Sequence, residues 1–371
     1  MRAADLFSLP RSRHAAGRIF SVPHGRPFLR AVAEALLTGE LPRPGGRRFG
    51  ALELAGVTLL LPTRRDIAAV QEAFLQAANG AALLLPKIKL ISHMSDAPPL
   101  AAAEGGERAD GEGKPQIGKL ERELALARLV LQWSRAIAAS QGRAPTRTPA
   151  QAVRQAKELA RLLDMVEMED VGLTRLDALV PQDFSAHWEL TLDFLKIVTE
   201  HWPRYLDDLG KVSPAAWRNG LMLREAERLR GTPPNEPIIV AGVTGTVPAA
   251  TQLMRAVLTL EQGALVLPGL DLTLDEESWN VLVPAHPEHP QFGLKKLLDA
   301  LGVSRSEVVV LPGPSPTARQ KARARLVSEA MRPASTTERW HTFLEGSAAA
   351  TLHEALAGCT ILEAASAADE A

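Results

Sequence analysis

The 371 residues exceed one ordinary domain, so two or three folding units are expected. A hydrophobic fraction of 46% and a charged fraction of 23% exclude a disordered chain, and a net charge of −1 gives no bulk sign of a nucleic-acid binder. The single cysteine, Cys359, excludes an intrachain disulfide and an all-cysteine zinc or iron–sulfur site. Since neither a membrane span nor a signal peptide is recognisable, we expect a cytoplasmic protein.

Basic residues are concentrated in two stretches. Residues 1–48 hold nine arginines against three acidic residues, and residues 319–339 hold six basic residues against two glutamates. Such clusters are typical of phosphate-binding surfaces, and a solvated basic face explains them equally well.

In chain order, short apolar runs alternate with helical patterns. Buried parallel strands are continuous apolar runs, and proline marks a strand end because it cannot donate to the ladder. The predicted strands are Arg18–Val22, Thr58–Pro62, Ala82–Pro86, Pro237–Ala241, Ala264–Pro268 and Val308–Pro312. The predicted helices beside them are Pro27–Leu37, Arg64–Ala78, Pro248–Leu260 and Gly293–Leu301. This alternation predicts an α/β fold with a doubly wound parallel sheet.

Residues 120–229 have an almost wholly helical pattern. Thr148-Pro149 and Ser213-Pro214 are typical helix starts, with a capping hydroxyl followed by proline. Apolar residues recur at three- and four-residue steps in three stripes: Leu120, Leu124, Ala127 and Leu131; Val153, Ala156, Leu159, Leu163 and Val166; Trp188, Leu192, Leu195, Val198 and Trp202. A helical block therefore interrupts the α/β pattern, and most of the six tryptophans are expected in cores rather than in a base-stacking platform.

The last residues predict a strand at Cys359–Glu363, followed by what resembles the first part of a helix at Ala364–Ala371. Because a domain seldom stops at such a point, we expect the chain to be a fragment.

The turn after the first strand occupies the place of a phosphate-binding loop. A Walker A loop needs several glycine amides and a lysine. The turn here contains one glycine and no lysine, and each of its prolines removes an amide donor. Its residues are Pro23, His24, Gly25, Arg26 and Pro27. The strand at Pro237–Ala241 also lacks the acidic ending that would hold Mg²⁺. The sequence therefore predicts a degenerate phosphate loop and no catalytic residues.

A second candidate loop contains Gly242, Thr244, Gly245 and Thr246, between a strand and a helix. Free amides at a helix start could bind an anion there. Capping of the following helix by Thr246 is the preferred interpretation, since one short Gly/Thr loop is a weak signal.

The third candidate is a nucleic-acid contact after the strand at Thr58–Pro62. Thr63 is predicted to cap the next helix with Asp66, and Arg64 and Arg65 then occupy a first turn whose dipole disfavours cations. A DNA phosphate would offset that cost. Exposed surface arginines that simply tolerate the cost explain the pattern equally well. Lys87 and Lys89 allow the same two interpretations.

Metal and nuclease patterns are weak. His286 and His289 stand among prolines that argue against a shared helix face, so a structural loop is preferred. The tripeptide Glu112-Gly113-Lys114 lies in a Gly/Glu-rich loop, where a D/E-x-K nuclease strand is not expected. We predict no metal site in this chain.

Taken in order, several segments resemble AddB subunits, of the alphaproteobacterial type, of bacterial helicase–nucleases that process DNA double-strand breaks. The segments are Phe20–Pro23, Pro27–Leu29, Leu59–Arg65, Glu72–Phe74, Leu83–Ile88, Ala241–Pro248, Leu267–Asp271, His289–Gly293 and Ser328–Ala334. The resemblance runs from about Arg18 to the end.

The resemblance implies a RecA-like, superfamily 1 helicase-like domain interrupted by an all-helical insertion. It implies an AddA partner in a heterodimer that supplies the ATP-driven motor, and DNA ends and single-stranded DNA as ligands. The Mg²⁺ and iron–sulfur sites of the family's nuclease would lie in a carboxyl-terminal part that this chain lacks, so no cofactor is expected here.

Domain boundaries follow from these patterns. We expect a disordered basic amino terminus at 1–17, a RecA-like domain in two parts at 18–119 and 233–325, a helical insertion at 120–232, and the start of a further helicase-like region at 326–371. Two alternative functions stay open: a nucleotide-binding enzyme that uses Gly242–Thr246, and a pure protein–protein module.

Overall fold

The computed structural model describes residues 17–92, 114–140, 142, 147–170, 194–244, 247–345, 348–360 and 363–366. The chain divides into two compact units. Unit 1 comprises the residues up to Leu90, residues 232–245 and the residues from Met254 onward. Unit 2 comprises residues 91–231 and 246–253.

The strands are β1 (Ile19–Val22), β2 (Thr58–Leu61), β3 (Lys87–Leu90), β4 (Ile238–Ala241), β5 (Gly263–Pro268) and β6 (Val309–Val310). The helices up to β4 are α1 (Phe28–Thr38), α2 (Arg64–Ala77), α3 (Lys119–Ser140), α4 (Pro149–Met168), α5 (Trp202–Asp208, after a π-helical turn at Ile197–His201) and α6 (Pro214–Gly231). The later helices are α7 (Pro248–Thr259), α8 (Glu276–Asn280), α9 (Leu282–Ala285), α10 (Phe292–Leu301), α11 (Ala318–Ala330), α12 (Arg339–Glu345) and α13 (Ala348–Leu356).

Unit 1 is built on a six-stranded sheet with the order β3-β2-β4-β5-β1-β6. Every pairing is parallel, from Thr58 opposite Lys87 at one edge to Phe20 opposite Val309 at the other. The inner strands β1 and β4 are buried along their whole length, because helices cover both faces of a parallel sheet. The predicted α/β fold with a parallel sheet is confirmed.

Helices α1 and α2 cover one face of this sheet. The connections from β1 to β2 and from β2 to β3 run in the same direction across the strand order, and right-handed crossovers then place both helices on the same side. Their apolar residues, among them Leu36 and Phe74, share one core with Leu59, Leu61 and Ile239. This core fixes the point at which each strand turns into its helix.

Two strand predictions are wrong. The run Ala82–Pro86 is not a strand: the edge strand begins only at Lys87, because Lys87 N–H bonds to the Val57 carbonyl at 2.8 Å and starts the ladder with β2. At the other end, Cys359 and Thr360 are not in a strand, since Cys359 N–H bonds back to the Leu356 carbonyl at 2.9 Å and closes α13. Residues 361–362 and 367–371 lie outside the described residues.

Unit 2 is helical in its described part. Ala156, Leu159 and Leu163 of α4 pack with Leu126 and other residues of α3 in one core, as the second predicted stripe requires. The first predicted stripe is wrong in its first half, because Leu120 is 68% exposed and Leu124 is 51% exposed, whereas Ala127 is buried and Leu131 packs against the same core. The buried face of α3 instead contains Arg122, Ala125, Leu126, Ala127, Val130, Ser134 and Ala138. Trp188 and Leu192 lie outside the described residues.

Both predicted helix starts in unit 2 are confirmed. Thr148 Oγ1 accepts a hydrogen bond from Gln151 N at 3.3 Å, and Ser213 Oγ accepts one from Ala216 N at 3.0 Å. Each hydroxyl satisfies an amide that the first helical turn leaves free. In the ranges that the structure describes, no helix combines the length and the apolar character that crossing a membrane requires.

Candidate nucleic-acid interface

The turns after β1, β2 and β4 meet at the carboxyl edge of the unit 1 sheet. In open parallel sheets, ligands bind outside this edge, at points where neighbouring strands lead into helices on opposite faces. The three candidate loops of the sequence all lie here.

The turn after β1 is a tight β-turn. Arg26 N–H bonds to the Pro23 carbonyl at 3.3 Å, and Gly25 at the third position has a φ of +87°, as in type II turns. The amide of Arg26 is therefore used by the turn itself, and Pro23 and Pro27 have none. A phosphate loop needs several free amides that converge on one point, which this turn does not offer.

Neighbouring groups close the same turn. Arg26 NH1 donates to the Leu311 carbonyl at 2.8 Å, and Gln320 Nε2 donates to the Gly25 carbonyl at 3.0 Å. His24 approaches the backbone so closely that a Cβ on Gly269 would lie 2.5 Å from its Cε1 atom. The turn after β1 is thus a structural junction between β1, β5, the segment after β6 and the first turn of α11.

The turn after β2 is open by contrast. The Asp66 carboxylate accepts hydrogen bonds from Thr63 N at 3.0 Å and from Thr63 Oγ1 at 2.7 Å, so the predicted pairing of these two residues at the start of α2 is present. Arg64 and Arg65 follow in the first helical turn and are both exposed. Within the described residues, neither guanidinium has a hydrogen bond or an ion pair.

The two lysines of β3 are not gathered at this turn. Lys87 pairs with Thr58 and Lys89 with Leu60, so only Lys89 approaches the end of β2 at Leu61. At about 3.3 Å per residue, Lys87 lies roughly 10 Å back along the strand direction. Thr63, Arg64 and Arg65 therefore lie together at this turn, with Lys89 nearer to them than Lys87.

The turn after β4 gives limited support to an anion loop. Gly242 N–H is engaged with the Val266 carbonyl at 3.0 Å, as an extension of the sheet, while Thr244 is exposed. Gly245 and Thr246 lie outside the described residues, and so does the predicted cap by Thr246. The strand ends at Ala241 without a carboxylate for Mg²⁺.

The basic clusters are mostly engaged in structural contacts. In the first cluster, Arg18, Arg26 and Arg43 donate to backbone carbonyls, and Arg30 and Arg47 pair with Glu34 and Glu53. In the second, Arg323 donates to two carbonyls, Arg325 stacks on Phe343, and Arg319, Arg332 and Arg339 form ion pairs. Arg2, Arg11 and Arg13 lie outside the described residues. The two clusters are thus weaker candidates for phosphate binding than Arg64 and Arg65.

The histidine pair has structural contacts. His286 Nδ1 lies 3.2 Å from Glu288 Oε1, and His289 Nδ1 accepts from Gln291 N at 3.1 Å. Burial lowers the pKa of His289. Lys114 of the D/E-x-K tripeptide pairs with Asp207 at 2.8 Å, and residues 112–113 lie outside the described residues. The described part of the chain holds no group of three side chains that could bind a metal.

One charged residue was missed by the sequence reasoning. Arg122 is 5% exposed and occupies the buried face of α3, in phase with Leu126. An arginine three or four residues from buried apolar positions is the signal that could have found it, and the wrong phase assigned to the first half of this helix concealed it.

Comparison of the sequence with protein-family models gives no match, and comparison with curated proteins gives none either.

Proposed function

We propose that the chain is a non-catalytic, helicase-like part of an AddB-type subunit, and that it contacts single-stranded DNA through the turn after β2. The observation that carries the DNA contact is the exposed Arg64–Arg65 pair, which has no partner in the described residues at the carboxyl edge of a parallel sheet. The resemblance of the ordered segments supports the family assignment.

The architecture agrees with this proposal. The larger part of unit 2, residues 91–231, falls in the sequence between β3 and β4, as an all-helical insertion into a RecA-like domain would, and residues 246–253 of the same unit follow β4. The closed turn after β1 supports a scaffold role rather than ATP hydrolysis, because Arg26 N–H is used within the turn and Pro23 and Pro27 have no amide to offer a phosphate. In the proposed complex, located in the cytoplasm, an AddA partner supplies the ATP-driven motor.

The electrostatics of α2 favour a phosphate beside Arg64 and Arg65. The amino-terminal end of a helix carries a partial positive charge, so each cation in its first turn costs about 0.3–1 kcal/mol. A phosphate would interact favourably with both guanidiniums and with the helix end. Such contacts fix the strand by its backbone and carry no sequence information.

The test is binding of a labelled oligothymidylate to the full chain, followed by fluorescence anisotropy over a series of salt concentrations. The double variant Arg64→Gln/Arg65→Gln should bind about tenfold or more weakly. Its plot of log affinity against log salt should be shallower by about 0.7 for each lost phosphate contact.

The matched control is Arg128→Gln/Arg135→Gln, which removes the same charge from exposed positions of α3. This control should keep the affinity and the salt slope of the original chain. Equal affinity and slope for the Arg64/Arg65 variant would overturn the DNA contact, and the absence of any DNA binding by the folded chain would favour a protein–protein module.

A further inference from the structure

A cationic groove lies within unit 2, and none of the residues of the proposed DNA contact line it. It has a volume of about 620 Å³, within the range of small-molecule sites. The first turns of α3 and α6 and one face of α4 line it. Because the amino-terminal ends of two helices border the groove, their dipoles add to its positive potential.

Arg122 forms the buried part of the groove. Its NH1 donates to Asp164 Oδ2 at 3.1 Å and its NH2 donates to the Ala160 carbonyl at 2.9 Å. Its Nε is buried and has no hydrogen-bond partner among the described residues. A buried guanidinium with an unused donor is costly, and an anion in the groove would lower that cost.

The rim adds further positive charge. Five cations and two carboxylates line the groove, which leaves a net charge of +3. Lys119 and Lys157 have no ion pair in the part of the chain that the structure describes, and both are exposed. Arg161 pairs with Glu158, and both of these side chains are exposed. This excess of positive charge favours an anionic ligand of low mass.

Trp217 gives the groove an aromatic surface. It lies in the first turn of α6 beside Arg218 and is half-buried, whereas Trp202 is packed in the core of unit 2. Indole rings stack favourably on nucleic-acid bases of any sequence. The same groove thus offers both a phosphate site and a surface for a planar ring.

We propose that this groove binds a nucleotide, with its phosphate near Arg122, Lys157 and Arg161 and its base against Trp217. The ligand could be a free nucleotide or one unit of a single strand, since both present the same phosphate and base. The inference does not depend on Arg64 and Arg65, which belong to unit 1.

Isothermal titration of the full chain with AMP, inorganic phosphate and adenosine tests the proposal. AMP should bind with a dissociation constant below about 1 mM and more tightly than either fragment, because it engages both surfaces. Lys157→Gln/Arg161→Gln should weaken AMP binding by about tenfold or more. Trp217→Leu should weaken AMP binding without changing phosphate binding.

The matched controls are Arg128→Gln/Arg135→Gln in the same unit and Arg64→Gln/Arg65→Gln in the other, and both should keep AMP binding. No AMP binding up to millimolar concentration would overturn the proposal, and so would binding that the Lys157/Arg161 variant retains. Equal AMP affinity in Trp217→Leu would overturn the nucleotide assignment in favour of a plain anion site.

Competition separates the two sources of the nucleotide. If an oligothymidylate displaces AMP from the Arg64→Gln/Arg65→Gln variant, the groove takes a nucleotide of a strand. If AMP binds and the oligonucleotide does not displace it, the groove takes a free nucleotide. Because the Arg64/Arg65 variant lacks the proposed DNA contact of unit 1, this competition can be interpreted even if Arg64 and Arg65 do not bind DNA.

Discussion

The turns after β1 and β2 each join a strand of the same sheet to the helix that follows it, yet the arginines in the two turns have opposite surroundings. Arg26 after β1 donates to the carbonyls of Leu311 and Pro312. Arg64 and Arg65 after β2 are exposed and have no partner in the described residues. The difference arises from the surroundings: the chain beyond β6 presents backbone carbonyls to the first turn, and the second turn has no such neighbour among the described residues.

This comparison separates arginines that hold the fold from arginines that are available to a ligand. Arg332 is an extreme case of the first kind, because its side chain is 5% exposed and lies against Asp275 and Glu329. Basic residues that form one cluster in the sequence can therefore differ in role. Only the groups around each guanidinium decide whether it can bind a phosphate.

The largest effect is expected at Asp275, which accepts from Ser278 N at 3.0 Å and pairs with Arg332. Burial raises the pKa of this carboxyl, but the hydrogen bonds from Ser278 and Arg332 outweigh burial and hold the pKa well below its usual range. Asp275→Asn keeps the helix cap and removes the charge, so the free energy of unfolding should fall by about 2–3 kcal/mol at pH 7. Urea-induced unfolding measures this loss.

The pH dependence of that loss identifies its cause. A carboxyl with a depressed pKa contributes its full stability above the pKa of the unfolded chain, about 3.9, and the contribution falls as the pH decreases toward the folded value. The difference between the original chain and Asp275→Asn should therefore shrink below about pH 4. Glu277→Gln, at an exposed carboxylate of the same helix, is the control and should change stability by less than about 0.5 kcal/mol. A loss that is independent of pH would contradict the assignment to charge.

A smaller effect is expected for Arg26→Met, which keeps the aliphatic part of the side chain and removes its donors. The carbonyl of Leu311 would lose a charged partner at 2.8 Å, so we expect the free energy of unfolding to fall by about 1.5–2 kcal/mol. Arg30→Met, which removes an exposed ion pair with Glu34, should cost less than about 0.5 kcal/mol. If Arg26→Met weakened DNA binding and left the free energy of unfolding unchanged, Arg26 would be a ligand-binding arginine like Arg64 and Arg65.

The fold was largely predictable because the central strands are buried on both faces. β4 and β5 are continuous apolar runs and β1 is apolar apart from Ser21, because a residue that must be buried on either side of a sheet has few alternatives to an apolar side chain. The edge strand β3 was misplaced because Lys87 and Lys89 interrupt its apolar pattern, while the apolar run Leu83–Leu85 before it forms no ladder. The strand order depends on contacts between distant segments, which local patterns do not contain.

The candidate site was predictable only in part. The start of α2 at Thr63 follows from local capping chemistry, so it could be inferred from neighbouring residues. The closure of the turn after β1 could not be inferred locally. The hydrogen-bond partners of Arg26 and Gly25 are Leu311 and Gln320, which lie 285 and 295 residues away in the sequence. The groove of unit 2 has the same origin, since Arg122, Asp164 and Trp217 come together only through the packing of three helices.

The smallest expected effect has the opposite sign. Arg64→Gln/Arg65→Gln removes two cations from the first turn of α2, where the helix dipole disfavours them, so the free energy of unfolding should rise by a few tenths to about 1 kcal/mol without DNA. The Arg128→Gln/Arg135→Gln control, in the interior of α3, should stay within about 0.5 kcal/mol of the original chain. Urea-induced unfolding at low salt measures both, and added salt should reduce the gain because exposed charges are screened. A loss of 1 kcal/mol or more in the Arg64/Arg65 variant would mean that these arginines hold the fold as Arg26 does, and the distinction between the two turns would fail.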